Sequence, residues 1–270
     1  MDAMVTQRRA EVPEVEVAIA AAEAGAAVVL AKYGTALVRH DKSPTDFATD
    51  ADLESERAIR DVIRGARPDD AFVGEEYGSD GAGNQGRRWL VDPLCGTLNF
   101  AAQTPLFSVN VALVRSDGEA TAAVADPLSA EIYWTDGAAT GLRRGGTDVP
   151  LQPSARSRLV DVNVDGPPDE EFIGPQLLTD REFRSRFGPR VSSTTLAVAW
   201  VAAGRRAGFV TDGDLRESVH FTAGLALCQA GGCVVTDLRG EPLHSGPGMI
   251  VAADTETHAR LLEIVARHLP

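Results

Sequence analysis

The stretch WLVDPLCGTLNF, residues 89–100, constrains this chain more than any other. It opens as an apolar β-run, breaks at Asp92-Pro93 and closes with Gly96-Thr97 and a helix-compatible tail. The run delivers Asp92 to a turn that Pro93 fixes, and Gly96 lets backbone approach a ligand closely. Thr97 can cap a following helix and leave free N–H groups aimed at an anion. A carboxylate at a strand end facing amides at a helix start describes a site for a hard cation and a phosphate. A structural Asp-Pro turn is the alternative reading of the loop alone. Cys95 stands in its middle, where a hard cation has no use for a thiol.

Two acidic constellations precede this loop. In SPTDFATDADLESE, Asp46, Asp50, Asp52, Glu54 and Glu56 crowd a helix start, where acids also serve simply as caps. In VGEEYG, Glu75 and Glu76 follow a β-run directly. They therefore stand at the strand end where ligands bind in α/β sheets, or in a solvated turn.

Periodicity supplies the frame. Val15, Ile19, Ala22, Ala26, Val29 and Tyr33 recur at helical spacing before Gly34, which predicts a helix over 15–33. A second helix is predicted over about 52–64. AFVGEE, RRWLVDP, FSVNVALVR, TAAVADP and EIYWTD read as strands. After a Gly-Pro-Pro break within 153–172 come a helix over 194–204, a strand near AGFVTD, a helix around FTAGLALCQAGG, a strand in CVVTDLRG and a last helix over about 254–268. The intermixing predicts a layered α/β fold with much antiparallel sheet, divided into an N-terminal α+β part, 1–150, and a C-terminal α/β part, 151–270.

The formal net charge of −13 excludes nucleic acid as a main partner, because phosphate backbones are bound by clustered Lys and Arg. It fits a site that concentrates divalent cations. No apolar run approaches the roughly 18 residues of a membrane span, and MDAMVTQRRAEVPEVE lacks the apolar core of a signal peptide. Three cysteines without framework spacing predict a reduced, cytoplasmic setting. Cys228 and Cys233 are expected as core hydrophobes, Trp134 and Trp200 as core residues, and His40, His244, His258 and His268 at the surface.

Taken together, D-x-x-T-x-x-D (Asp46, Thr49, Asp52), G-E-E and W-x-x-D-P-x-x-G-T-x-N-F resemble the inositol monophosphatase family in order and spacing. These are Mg²⁺-dependent, lithium-sensitive phosphomonoesterases related to fructose-1,6-bisphosphatase. SSTTLAVAWVAAGR and HFTAGLALCQAGGCVVTDLRG extend the likeness over nearly the whole chain. The resemblance implies a layered α-β-α-β-α sandwich with one shared cleft, a small phosphorylated or polyhydroxylated ligand and a homodimer. It also implies attack of a cation-activated water on a phosphate ester. It makes Glu75 and Asp92 metal ligands with the Leu94 carbonyl, and Thr97 and Asp52 a water-activating network. Gly96 and Thr97 would supply phosphate amides, and Glu217 would approach the substrate.

Two departures oppose that transfer. The family's D-P-x-D-G-T has Cys95 at its second aspartate, and its W-D-x-A-A-G has Val219 and His220 at Trp-Asp, so His220 stands at a metal-binding aspartate. A slip of one residue would put Val219 there instead. Gln229 and Ser192 replace a glutamate and a glycine. With two of four carboxylates gone, one Mg²⁺ at most is expected, with Zn²⁺ or no metal as alternatives. Three functions stay open: a small-molecule enzyme whose two-metal hydrolysis is impaired or redirected, a specialised biosynthetic pathway included; an active metal-dependent phosphatase on a sugar, inositol or nucleotide monophosphate; and a ligand-binding pseudophosphatase. A nucleophilic Cys95 with His220 as base is one form of the first.

Overall fold

The computed structural model describes residues 12–43, 47–81, 86–166 and 172–269. Asp46, the Pro-Pro of the break and most of the N-terminal stretch judged above lie outside them. The chain opens with α1 (Glu14–Lys32), a short β1–β2 hairpin (Arg39–Asp41, Phe47–Thr49) and α2 (Asp50–Ala66). The acidic run starts α2 through a capping box: Thr49 and Asp52 each satisfy a backbone N–H of the other's turn. The two helices pack closely because Gly25 has no Cβ; one built there would lie 2.7 Å from the Ile59 side chain.

The next strands are β3 (Ala71–Gly74), β4 (Gly78–Asp80) and β5 (Arg88–Cys95), followed by the single turn α3 (Thr97–Ala101). Then come β6 (Ser108–Val114), β7 (Ala120–Asp126), β8 (Glu131–Thr135), β9 (Thr140–Arg144) and β10 (Thr147–Pro150). They form one eight-stranded sheet in the order β10-β9-β8-β7-β6-β5-β3-β4. It is antiparallel except for the parallel pair β3–β5. Its period-2 alternation is visible in β6: Val109, Val111 and Leu113 join the α1–α2 core, whereas Ala112 faces the opposite cluster. Both faces are buried, so these strands read as continuous apolar runs.

The second sheet is built from β11 (Leu159–Val162), β12 (Gly188–Arg190), β13 (Gly208–Thr211), β14 (Val234–Thr236) and β15 (Met249–Ala252), in the order β12-β11-β13-β15-β14. Interleaved with them are α4 (Ile173–Thr179), α5 (Arg181–Arg186), α6 (Leu196–Ala202), α7 (Thr222–Ala230) and α8 (Thr255–Val265). Helices α6 and α7 lie between the sheets: Val198, Val201 and Leu227 share one core with Ala112, Ala122 and Val124 of the first sheet and Phe209, Met249 and Val251 of the second. Helices α4, α5 and α8 cover the outer face of the second sheet through Ile173, Leu177, Phe183, Leu261 and Ile264. The result is the α-β-α-β-α layering.

Several expectations are corrected. Helices α4 and α5 are absent from the sequence reading, which predicts nothing between the Gly-Pro-Pro break and the helix over 194–204. Pro175 sits in the first turn of α4, where a missing N–H costs nothing. His258 is buried rather than superficial, its Nε2 2.8 Å from Thr236 Oγ1. His268 is half-buried against Asp180, and His40 and His244 are exposed. Cys228 is buried, Cys233 packs on the same core, and Trp134 and Trp200 are partly buried against the two main clusters. Among the described residues no helix is long and apolar enough to cross a membrane.

One buried carboxylate ties the layers together. Glu131 on β8 accepts from Arg205 beyond α6 at 2.6 and 2.7 Å, from Tyr133 Oη at 2.7 Å and from Arg144. Burial alone would raise its pKa, but these donors override burial and hold it at about 2. Its folded pKa lies below the unfolded one, so the stabilisation is complete above about pH 4.5 and is lost as pH falls towards 2. We expect Glu131→Ala to lower the unfolding free energy by about 2–3 kcal/mol at neutral pH, a buried-pair loss discounted for the exposed arginines. Glu131→Gln should flatten the acid-side fall in melting temperature; an unchanged acid profile would contradict this role.

Candidate active site

The loop after β5 takes its shape from local chemistry. Pairing with β6 shifts register between Asp92 and Cys95, where Pro93 cannot donate a ladder hydrogen bond. Gly96 then adopts φ 101° as the N-cap of α3. A Cβ there would approach the Leu106 carbonyl to 2.7 Å. Asn99 locks the turn by donating to the Leu106 and Ser192 carbonyls, both at 2.9 Å. The loop thus faces the segment that starts α6.

A cavity of about 380 Å³ opens between the two sheets. Glu75, Asp92, Leu94, Cys95, Gly96, Thr97 and His220 all line it. Asp52 lies just behind, fully buried, and accepts the Thr97 hydroxyl at 3.0 Å. That hydroxyl also reaches the Leu94 carbonyl, at 3.1 Å. The ring that enters the site belongs to His220, and Val219 does not line the cavity. Glu217 is not brought to the site: its carboxylate pairs with Arg88 at 2.5 and 2.9 Å and its side chain is 60% exposed. Gln229 is exposed on α7. Ser192 lines the cavity and donates to buried Asp161.

Asp92 is completely buried. Its Oδ1 accepts the Leu94 N–H at 3.1 Å, and its Oδ2 lies 2.7 Å from His220 Nδ1. Glu75 Oε2 is 3.9 Å from the same nitrogen. Lys42 Nζ meets Glu75 Oε1 at 3.1 Å and Glu76 Oε1 at 2.7 Å. Burial and the Asp92 charge push the Glu75 carboxyl up. Burial disfavours a charged His220, but the Asp92 contact and the Glu75 charge override it and raise the ring to about 9. Burial raises Asp52 to about 6 against the hydrogen bonds it accepts.

Cys95 departs from what a helix N-terminus would do to a thiol. Burial, then the Asp92 charge, pushes it well above its ordinary value. An activated thiolate nucleophile needs the opposite direction. Its Sγ accepts from the Thr195 N–H at 3.2 Å and the Thr195 hydroxyl at 2.9 Å. Asn110 donates to that hydroxyl oxygen at 2.8 Å and to the His220 carbonyl at 3.3 Å.

Lys42, Glu56, Asn110 and Thr195 escaped the sequence reading as site residues. Glu56 accepts the backbone N–H groups of Glu76 and Tyr77 at 2.8 and 3.0 Å, which fixes the turn that presents Glu75. It was visible only as one acid in a run. Lys42, next to that run, is the one signal that was available for a charge partner. Gly96→Ala combines strained backbone with a carbonyl clash, so we expect it to destabilise the fold by about 2–4 kcal/mol in denaturant unfolding. A loss below about 0.5 kcal/mol would show that the turn can relax.

Comparison with known proteins gives the family and the fold. The model of the Inositol monophosphatase family matches residues 11–269. An inositol-1-monophosphatase of Rhizobium meliloti is 35% identical over 243 residues, 85% of this chain and 86% of that protein. A Nus factor SuhB of Salmonella typhimurium is 31% identical over 257 residues, 90% of this chain and 91% of its own. Among solved structures, the extragenic suppressor protein suhB of Bartonella henselae superimposes with a TM-score of 0.80 at 25% identity, covering 94% of this chain and 98% of that one. An IMPase of Thermotoga maritima gives 0.79 at 23%, covering 95% and 98%, and so shows the shared fold. The match spans both sheets and the cavity between them: the chain belongs to the inositol monophosphatase family.

Proposed function

We propose that this chain is a small-molecule enzyme that takes a phosphorylated, polyhydroxylated ligand into the cavity and no longer acts on it through a pair of Mg²⁺ ions. One observation carries the reading: nitrogens of the chain itself meet Glu75 and Asp92, the two carboxylates of the cavity wall nearest the loop after β5. Lys42 lies on Glu75, and His220 on Asp92. Beside the loop, the oxygen donors left for a hard cation are Glu75, Asp92 and the Leu94 carbonyl, with a thiol and an imidazole next to them; across the cavity Asp161 is engaged by Arg206 and Ser192, and Asp165 accepts from Ser193. Two Mg²⁺ ions require more anionic oxygen than this set offers, and neither sulfur nor imidazole suits them. The residues present do not fit the pair. A specialised biosynthetic role is consistent with a family scaffold altered in this way.

The chain's own groups suffice for binding and proton movement. The Thr97 hydroxyl donates to Asp52, leaving its oxygen lone pairs to accept from a water in the cavity. Asp52, raised to about 6, can take a proton passed through Thr97 near neutral pH. His220 Nε2, which no described residue engages, can donate to a phosphate oxygen while Nδ1 stays on Asp92. Gly96 and Thr97 border the same space. Lys42 keeps Glu75 in place.

A second reading, an ordinary Mg²⁺-dependent phosphatase, is favoured by relatives named as inositol-1-monophosphatases. Phosphate release from sugar, inositol and nucleotide monophosphates by metal-stripped protein separates the two. We expect added Mg²⁺ to give no turnover, and the Cys95→Asp, His220→Asp double variant to acquire Mg²⁺-dependent hydrolysis. Mg²⁺-dependent turnover by the unaltered chain contradicts the proposal, and absence of turnover with every cation, alongside ligand binding, leaves a binding protein. For any turnover found, Thr97→Val should reduce kcat by roughly 100-fold with little change in KM.

A further inference from the structure

We propose that Asp92, Cys95 and His220 form a site for one borderline or soft divalent cation, Zn²⁺ above all, in the cavity wall where the family's donor set suits Mg²⁺. The inference rests on the reading that the Mg²⁺ pair no longer fits. The three side chains each offer one ligand atom, and these atoms lie within 4.8 Å of one another. Tetrahedral zinc, with bonds of about 2.0–2.3 Å, places its ligand atoms roughly 3.3–3.6 Å apart. Shifts of about 1 Å would therefore close the cluster around an ion. The fourth position falls to Glu75, whose Oε2 is 3.9 Å from His220 Nδ1, or to an oxygen of the bound ligand.

The two departures from the family pattern meet at one point although they lie far apart in the chain. Replacing one oxygen donor with sulfur and another with imidazole nitrogen is the change that moves a site from a hard cation to a borderline one. Simple decay of a site does not require both replacements to be good zinc ligands.

The surroundings of the sulfur give an independent reason. Asn110 donates to the Thr195 hydroxyl oxygen, and that hydroxyl lies 2.9 Å from Cys95 Sγ. The Thr195 backbone N–H, which cannot reverse its role, also points at Sγ. Sγ is thus contacted by a backbone N–H and a hydroxyl that can hold and orient a metal-bound thiolate. Asp92 is arranged likewise: the Leu94 N–H occupies Oδ1 and leaves Oδ2 to the cluster.

The test titrates the metal-stripped full chain with Co²⁺, a spectroscopic substitute for Zn²⁺. We expect one equivalent to bind with a near-ultraviolet thiolate-to-cobalt absorption that Zn²⁺ abolishes and millimolar Mg²⁺ leaves intact. Cys95→Ser should remove the band, and a Cys228→Ser, Cys233→Ser variant should keep it. His220→Gln, which keeps a hydrogen-bond donor for Asp92, should weaken Zn²⁺ binding at least tenfold, and it carries the test if Cys95→Ser does not fold. The proposal is overturned by the absence of a thiolate band, by a band that survives Cys95→Ser, or by cobalt that Mg²⁺ displaces. If Zn²⁺ fails to bind and Mg²⁺ still supports no turnover, this inference alone falls. If Mg²⁺ drives turnover by the unaltered chain, the reading beneath it falls too.

Discussion

The structure turns on a carboxylate that has no access to water. Asp92 stands at the end of a central strand with zero exposure, and an ionised carboxylate in that position must be compensated by something held against it. The backbone of Leu94 supplies one hydrogen bond and the ring of His220 the other. That requirement propagates outward. His220 has to be delivered by the start of α7, Asn110 steadies its carbonyl from β6, and the same asparagine reaches the start of α6 through Thr195. A layer of helices between two sheets is what brings these three starting points to one cavity.

The compensation is of a different kind from that of a hard-cation centre. A divalent ion between carboxylates concentrates positive charge and asks for oxygen all round. Here the charge is spread over Lys42 and His220, and a buried thiol fills the remaining corner. The local scaffold is the capping box that buries Asp52, the Thr97 hydroxyl upon it, and the positive φ of Gly96. Family membership is legible in such backbone geometry, whereas function has to be argued from the side chains of the site.

Much of this was legible in the sequence because it is local. Strand, Asp-Pro break and Gly96 follow one another, and each obeys a short-range rule; Thr97, expected as a cap, instead follows the N-cap Gly96 and sends its hydroxyl to Asp52. Long apolar strands and α1 announced themselves by period alone. What was not legible depends on pairs far apart in the chain. Nothing near Lys42 says that it will lie on Glu75, and nothing in SSTT says that Thr195 will hold Cys95 Sγ. Glu217 looked like a substrate contact by its place beside His220, but its partner, Arg88, comes from the sheet. His258 looked superficial because lone histidines usually are, yet α8 turns it towards Thr236. Helix α4 was concealed by Gly174 and Pro175, which punctuate a sequence even where the fold accommodates them.

The central claim is that the cavity carboxylates are satisfied by the chain's own nitrogens and not by a pair of Mg²⁺ ions. Nitrogen–proton correlation spectra of the imidazole of His220, recorded on metal-stripped protein during a Mg²⁺ titration, test it most directly. The account predicts a protonated Nδ1 hydrogen-bonded to Asp92 whose signals do not move at millimolar Mg²⁺. A saturable shift of the ring, with Nδ1 released from Asp92 as two Mg²⁺ ions bind, would contradict it.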